Sequence, residues 1–531
     1  MKRIILLLLA IVLIVSMTFA GFGCKNGTTT AEETKEETKE EAVEEEESAE
    51  EESPIRGGVV FVSSPGEPTS LDGTVDSSHN TKTVTQSIND HLLDTNTNYE
   101  YTPRLAISWE WIGDLELKMS LREGVKFHNG RELIADDVKE SILRAKNEEN
   151  SMRASALVAI ESVEVLDDYS FVIHLNAKDA AILPSIAEIP IVPIEAFDEL
   201  DTNPVGCGPF KFVSWDPGVK ITVEAFDDYW QEGKPYVDGI QFILSLDDSG
   251  KMAGLQSGEI NIVTNPSEAD VVAIGSGNIE GVSTLTGENP FSGYFIALNM
   301  DKEPFKSNLK LRQAISYAID REEISELCFN GEKPPQYSYV WETAVWYNPE
   351  WEEIITYNPE KAKQLLAEAG YPDGIDIDMI ALSLSQYRSM AEVFQAQMEE
   401  VGININLEIL EGASYSERLY TNKDFTIAIS GVASANDPSL IPRKLYISGL
   451  WTMISDDSMD EWVAENYQTY DFEERYSIID KMEKYRIENV LGIVFIIKPV
   501  ETIAITDNIE NFLGMWDGKY DYSDLTIIDN S

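Results

Sequence analysis

The period of the hydrophobic pattern changes repeatedly along the chain. GGVVFVSS (57–64) sets β-branched and aromatic residues after a glycine pair and predicts a strand, with PGEPTSLD following as a turn-rich loop. Residues 99–127 alternate polar and apolar positions in short runs, which predicts antiparallel strands. ADDVKESILRAKN (135–147) brings Val138, Ile142 and Ala145 onto one helical face, with Asp136 and Asp137 at the end where the helix dipole favours acids. SVEVLDDYSFVIHL (162–175) reads as a hairpin turning at Asp-Asp, and residues 205–226 as two strands around Asp-Pro-Gly. GIQFILSL (239–246) predicts a buried strand. Residues 248–263 predict a helix, a glycine stop and a strand.

Farther on, residues 309–328 predict an amphipathic helix flanked by Arg312 and Arg321, both expected to pair with acids. A second helix, in 358–370, carries a capping Asn358, Pro359 in its first turn and Gly370 at its stop. Residues 389–410 read helix, glycine, strand, and LGIVFIIKP (491–499) is an apolar strand. The pattern is mixed α/β without a repeat or internal linker, which implies lobes joined by crossing strands rather than beads on a string.

The first 55 residues follow different rules. MKRIILLLLAIVLIVSMTFA opens on two cations, then runs apolar from Ile4 to about Phe19, the n- and h-regions of a signal peptide. The run is almost long enough to span a bilayer, so an uncleaved anchor is the competing reading. Gly21-Phe22-Gly23-Cys24 resembles the bacterial lipobox, which implies a signal peptide over 1–23 and lipidation of Cys24. Gly21 stands where that motif prefers Leu, and Thr18-Phe19-Ala20 offers the ordinary signal peptidase a site. The glutamate-rich residues 24–54 cannot bury enough apolar surface to order themselves and repel one another, which makes a disordered acidic leash.

Charge and cysteine usage narrow the function. The 531 residues carry a formal net charge of −54, which repels a phosphate backbone and excludes nucleic acid as a partner. Three cysteines make no disulfide framework; Cys207 and Cys328 are expected as small buried residues. CxxC, GxSxG and HExxH are all missing, and GSGNIEG (275–281) has the wrong spacing for a dinucleotide fingerprint. An extracellular hydrolase therefore lacks a nucleophile or metal motif. In Phe127-His128-Asn129-Gly130 the histidine is expected to be a hydrogen-bonded corner residue rather than a ligand, with Gly130 supplying a positive φ.

Several ordered segments carry a family resemblance. LREGVKFHNGRELIADDVKESILR (121–144), PVGCGPFKFVSWDPG (204–218), AGLQSGEINIV (253–263), residues 295–324 and YNPEKAKQLLAEAGYPDG (357–374) resemble, in order, the peptide/nickel type of extracellular solute-binding protein, family 5 of the ABC-importer receptors. Cys207 stands where that family usually has Thr. The resemblance implies an α/β, two-lobed, periplasmic-binding-protein-like fold of type II with an extra subdomain, closing like a hinged clam. Lobe I is expected over 56–290 with 500–531, its extra subdomain over 86–198, and lobe II over 291–499. The implied function is capture of a peptide or other small organic solute by hinge closure and delivery to an ABC permease. It implies a monomer on the extracytoplasmic face of the membrane, held there by the lipid anchor, with no catalysis, cofactor or metal.

In peptide-binding members a segment like GW-aDy-DP lines the cleft, and its first Asp holds the peptide's amino group. Here the segment is SGVASANDPS (430–439). Gly431, Asp437 and Pro438 fit, Val432 replaces the Trp, Ser434 or Ala435 stands near the Asp position, and the segment is one residue short. Gly431, Val432, Ala433, Ser434 and Asn436 are the expected ligand contacts. Trp341, Trp346 and Trp451 are candidates for stacking on a sugar ring, which keeps an oligosaccharide open as the alternative ligand. A nickel-type cleft finds only four histidines in the chain. A co-receptor feeding a signalling partner has the same implied sequence features as an importer.

Overall fold

The valine-rich run after the glycine pair forms a strand, Val59–Ser63, at the centre of a seven-stranded sheet. The computed structural model describes residues 56–528, apart from 96–99, 245, 265, 288–291, 433–436, 451, 453 and 516–518. Cys24, the apolar leader and the acidic leash lie outside the described residues. Among the described residues no helix is long and apolar enough to cross a membrane.

In the central sheet Val59–Ser63 runs parallel to Gly239–Ile243 on one side and to Ile262–Val263 on the other. Phe210–Asp216 and Lys220–Ala225 extend it as an antiparallel hairpin around Pro217-Gly218. Glu501–Thr506, from near the end of the chain, pairs with Ile262–Val263 and Val282–Gly287 and so closes the other edge.

A second sheet of five strands is built from later residues, in the order Ile403–Leu410, Ile375–Leu382, Ile427–Val432, Gly293–Leu298, Ile493–Ile497. The first three are mutually parallel, and the helix Ser385–Glu400 is the crossover between the first pair. The chain passes between the two large sheets twice, from Val282–Gly287 to Gly293–Leu298 and back through 498–500. A third sheet, four antiparallel strands between Ala106 and Leu175, has its own core with the helix Ala135–Asn147. Val138, Ile142 and Ala145 are all fully buried there, as the helical pattern predicts. The hairpin turns at Asp168-Tyr169, one residue later than Asp-Asp suggests.

Two expectations are corrected. Residues 309–328 are not one helix but two, Leu309–Ala318 and Arg321–Phe329. The apolar spacing runs on through the break, but Ile319 is extended and the Asp320 side chain caps the second helix at Glu323 N. Among the described residues neither Arg312 nor Arg321 pairs with an acid. Arg312 donates to the carbonyls of Phe305, Asn489 and Val490, and Arg321 to those of Gln336 and Phe495. Each is a buried cation satisfying backbone acceptors that regular pairing leaves over: for Arg312 at turns and a helix end, for Arg321 in a loop and on the edge strand Ile493–Ile497 beside a register shift.

The motif residues around 204–218 are structural. A Cβ on Gly206 or Gly208 would sit 2.3–2.7 Å from the Ile88 carbonyl oxygen, so both glycines let this loop lie against the end of the helix His79–Ile88. Gly208 N–H donates to Ile88 O at 2.9 Å. Cys207 between them is fully buried, its thiol pushed well up by burial, and Cys207 and half-buried Cys328 are both free thiols.

His128 joins this corner. Its Nδ1 accepts from Gly206 N–H at 3.3 Å and its Nε2 lies 3.0 Å from Gly208 O, which fixes a neutral tautomer protonated on Nε2. Burial depresses the imidazole to about 4, although the Gly208 carbonyl opposes this. The unfolded chain takes up that proton near pH 6.5 and the folded chain only near 4. The histidine's contribution is therefore complete above pH 6.5 and is lost as pH falls towards 4, about 3 kcal/mol in all. Urea midpoints of wild type and His128→Gln across this window are expected to converge as pH falls. Parallel curves would remove the histidine from the acid sensitivity.

Candidate functional site

Parallel strands leave their carboxyl ends on one edge, and in open α/β sheets that edge is where ligands sit. Ile375–Leu382, Ile403–Leu410 and Ile427–Val432 end together on one edge of the five-stranded sheet. Val59–Ser63, Gly239–Ile243 and Ile262–Val263 end together on one edge of the seven-stranded sheet. The two edges meet. Glu268, just past Ile262–Val263, ion-pairs with Lys333 of the other half and lies within electrostatic reach of Tyr294.

Gly431 lies at this meeting place, paired with Tyr294 across the ladder. A Cβ there would come within 3.0 Å of the Tyr387 hydroxyl and 3.1 Å of the Tyr294 ring. Tyr294 and Tyr387 pack edge-to-face at 5.4 Å, and Tyr294 stacks on Phe329. Burial, with Glu268 second, pushes the Tyr294 phenol up to about 12, so it stays a neutral hydrogen-bonding group. Tyr415 is also raised by burial and donates to Ile429 O at 2.5 Å. The residues around Gly431 are therefore apolar rings with neutral hydroxyls.

The expected contacts divide. Gly431 and Val432 end the strand at the crevice; Ala433, Ser434, Asn436 and Trp451 lie outside the described residues. Asp437 is committed to its own half. Its Oδ1 accepts from Arg475 Nη2 at 2.7 Å and from Ser439 N–H at 2.8 Å. Trp346 is 9% exposed, packed on Phe472 and under the Arg475 guanidinium, so it reaches the segment only through Arg475. Trp341 is 1% exposed, donates to Ser292 O at 3.3 Å and carries Lys498 over its ring at 3.9 Å.

A cavity of about 280 Å³ lies against the helix His79–Ile88 and the hairpin Leu93–Pro103, lined by the first half of the chain and by Tyr520 and Asp521 from its end. Arg104 holds its floor, bonded to Asp90 and, at 2.8 Å, to Asp94. Arg104 and His91 hold the Asp94 carboxyl far below the usual carboxylate range despite its burial. Asp90 also accepts from Trp230 Nε1 at 2.6 Å and Tyr229 OH at 3.2 Å, so its charge is fully used. Lys82, Arg153 and Glu188 line the wall. Sequence reading did not find them, because residues 82, 153 and 188 share no motif and meet only in the fold.

A separate set of contacts ties the third sheet's body to the later half. Ala180 N–H donates to Tyr467 O at 2.7 Å, and Arg443 Nη2 to Ser155 O at 3.1 Å. Tyr470 stacks on Trp111 at 4.4 Å and donates to Asp114 O at 3.0 Å. The partners are hundreds of residues apart, so these contacts exist only when the halves are together.

Comparison with known proteins places this geometry. Residues 100–448 match the family described as bacterial extracellular solute-binding proteins, family 5 Middle. The oligopeptide-binding protein AppA of Bacillus subtilis is 31% identical over 420 residues, covering 72% of this chain and 75% of its own. The heme-binding protein A of Haemophilus influenzae is 32% identical over 374 residues, 63% of this chain and 67% of its own. Among solved structures, the binding protein AgaA of A. tumefaciens R10 in complex with agropinic acid superposes with a TM-score of 0.73 at 27% identity, covering 89% of this chain and 99% of that one.

Proposed function

Because the chain belongs to the bacterial extracellular solute-binding proteins of family 5, we propose that it captures a peptide in the crevice between its two lobes and delivers it unaltered to an ABC permease. The observation that carries this is the meeting of two carboxyl-terminal sheet edges across a chain that passes between the lobes only twice. A ligand that touches both edges is bound fully only when they are together, so its differential affinity for the closed form drives closure. The permease then has a closed shape to recognise. Members of this family are binding proteins, and the crevice as described needs no covalent step.

Peptide is preferred over the other ligands because a relative that shares 72% of this chain's length is named for oligopeptides. The heme and agropinic acid names attached to similar proteins show that this architecture accepts other organic solutes. Gly431 and Val432 are the proposed ligand contacts at the strand end, with Ala433, Ser434 and Asn436 continuing the wall; the indoles of Trp341 and Trp346 back it. The tether is part of the same proposal: Cys24 is lipidated, residues 25–54 form the leash, and the protein works outside the cytoplasmic membrane. Two acyl chains on one cysteine hold a protein stably, since each buried methylene contributes about 0.8 kcal/mol.

Thermal unfolding with tetrapeptide, oligosaccharide and heme panels tests the reading. A ligand at 100 times its Kd stabilises by about 2.7 kcal/mol, and only the peptides are expected to do so. Tyr470→Ala removes the ring stack and the bond to Asp114, and is expected to weaken the stabilising peptide roughly tenfold by disfavouring closure, with small-angle scattering reporting a larger unliganded molecule. Product formation from the peptide, or stabilisation by sugars alone, would sink the proposal.

A further inference from the structure

We propose that the crevice wall formed by Lys82, Arg153 and Lys444 receives a carboxylate of the bound ligand. This rests on the solute-binding reading and specifies the chemistry of one end of its ligand. Arg153 lines the cavity beside Lys82 and Glu188. Lys444, from the helix Leu440–Leu445 of the other lobe, stands within electrostatic reach of Glu188 and Lys82. Lys444 does not line the cavity itself but stands exposed near its rim, so closure brings a cation of the other lobe towards Lys82 and Arg153.

What distinguishes this wall is unspent positive charge in a protein with 94 acids and 40 lysines and arginines. Each acid lining the cavity has a cation or donor of its own. Asp90 and Asp94 hold Arg104; Asp521 lies 3.9 Å from Arg104 and accepts from Ser523 N–H; Glu188 lies 3.6 Å from Lys82. The cations facing them are less well supplied. Among the described residues no carboxylate lies within 4.0 Å of Arg153 or Lys444, and Arg153 makes one long bond of 3.3 Å to Gly73 O. Asp72, the acid close to Arg153 in the fold, is taken by Arg144 at 2.7 Å. Burial lowers the Arg153 guanidinium, and the more distant acids do not restore the loss, whereas Lys444 is exposed at the rim. A desolvated cation without a charged partner, as Arg153 is, is costly. A carboxylate entering between Arg153 and Lys444 would give both a charge-assisted partner, and Arg153 has the planar fork that takes a carboxylate through two parallel bonds.

Thr95 supplies an independent sign of a missing polar partner. It lines the same cavity, is 7% exposed, and its hydroxyl has no hydrogen-bond partner among the described residues. Such a hydroxyl is uncommon in a folded protein and fits a site whose ligand completes it.

Three tetrapeptide pools test the inference by thermal shift and calorimetry. All are built from Ala, Leu, Tyr and Lys. One has free carboxyl termini, one is amidated, and one is amidated with a single Glu added. The carboxylate-free pool is expected to bind wild type roughly tenfold or more weakly than a carboxylate-bearing pool. Whichever carboxylate pool is retained identifies the terminus or the side chain as the source. Arg153→Met and, on the accessible rim, Lys444→Met are expected to erase the preference while still binding. Equal affinity for all three pools, or an undiminished preference in both folded variants, would overturn the subsite and leave the peptide reading standing. Silence with every pool would overturn the peptide reading and the subsite together.

Discussion

Glu483→Ala is expected to lower the unfolding free energy by about 3–5 kcal/mol, the range for stranding one partner of a buried ion pair. Glu483 and Arg486 are both buried to within 1% exposure, deep in the five-stranded lobe. The pair is bidentate, with Nε to Oε1 at 3.0 Å and Nη2 to Oε2 at 2.9 Å. Tyr446 OH donates to the same carboxylate at 2.9 Å. Removing it leaves a guanidinium in an apolar core with only two carbonyls, Ile493 O and Tyr337 O, and leaves the Tyr446 hydroxyl without its acceptor. Those two carbonyls explain why the pair is placed here. They belong to the strand that leads into the crossing at 498–500 and to the loop that backs the crevice. The double variant Glu483→Leu with Arg486→Met is expected to recover part of the loss, because two apolar side chains leave no charge stranded, but not all of it, because the two carbonyls lose their donor. Urea unfolding of the two single variants and the double variant measures the coupling. A coupling below about 1 kcal/mol would mean that the carboxylate is not what keeps Arg486 in place.

The sequence was most legible where local chemistry and packing agree. Ala135–Asn147 matches its pattern to the residue, because the same spacing that makes one face apolar buries Val138, Ile142 and Ala145. Pro359–Glu368 is equally clear, since Asn358 caps it and Gly370 follows its end. The break at Ile319-Asp320 was not visible, because apolar residues recur at helical spacing on both sides and only the Asp320 cap divides them. Arg312 and Arg321 were misread for a related reason. A count of acids suggests ion pairs, whereas the acceptors that hold these guanidinia are backbone carbonyls, which composition cannot reveal.

The site divides along the same line. The strand end at Gly431 was found through a contiguous segment, 430–439, whose residues are neighbours in sequence as well as in space. Lys82, Arg153 and Lys444 come from three distant segments and carry no pattern of their own. Asp437 shows the limit of a motif from the other direction. Its place in the segment says nothing about Arg475, 38 residues later, which takes its charge. With that acid occupied, the proposed subsite relies on Arg153 and Lys82, cations in a protein of the opposite overall sign.

Gly431→Leu is the substitution expected to cost most in binding, with affinity for a stabilising peptide falling by roughly 100-fold or more while the fold persists. The first added carbon already meets the Tyr387 hydroxyl at 3.0 Å and the Tyr294 ring at 3.1 Å, distances at which something must yield. Tyr294 cannot retreat freely, because Phe329 stacks behind it and Tyr387 stands edge-on to it. The leucine branch therefore either rotates the tyrosines or occupies the space beside the strand end, and both change the surface offered to the ligand. Overpacking of this kind costs about 1–3 kcal/mol of stability, so the variant is expected to fold with a lowered urea midpoint. Gly431→Ala separates the two effects: it adds the close contact without filling the crevice, and is expected to lose stability in about the same measure but much less affinity. If Gly431→Leu bound the peptide as wild type does, the ligand would lie elsewhere than against this strand end, and the crevice wall at Arg153 would have to be its main seat.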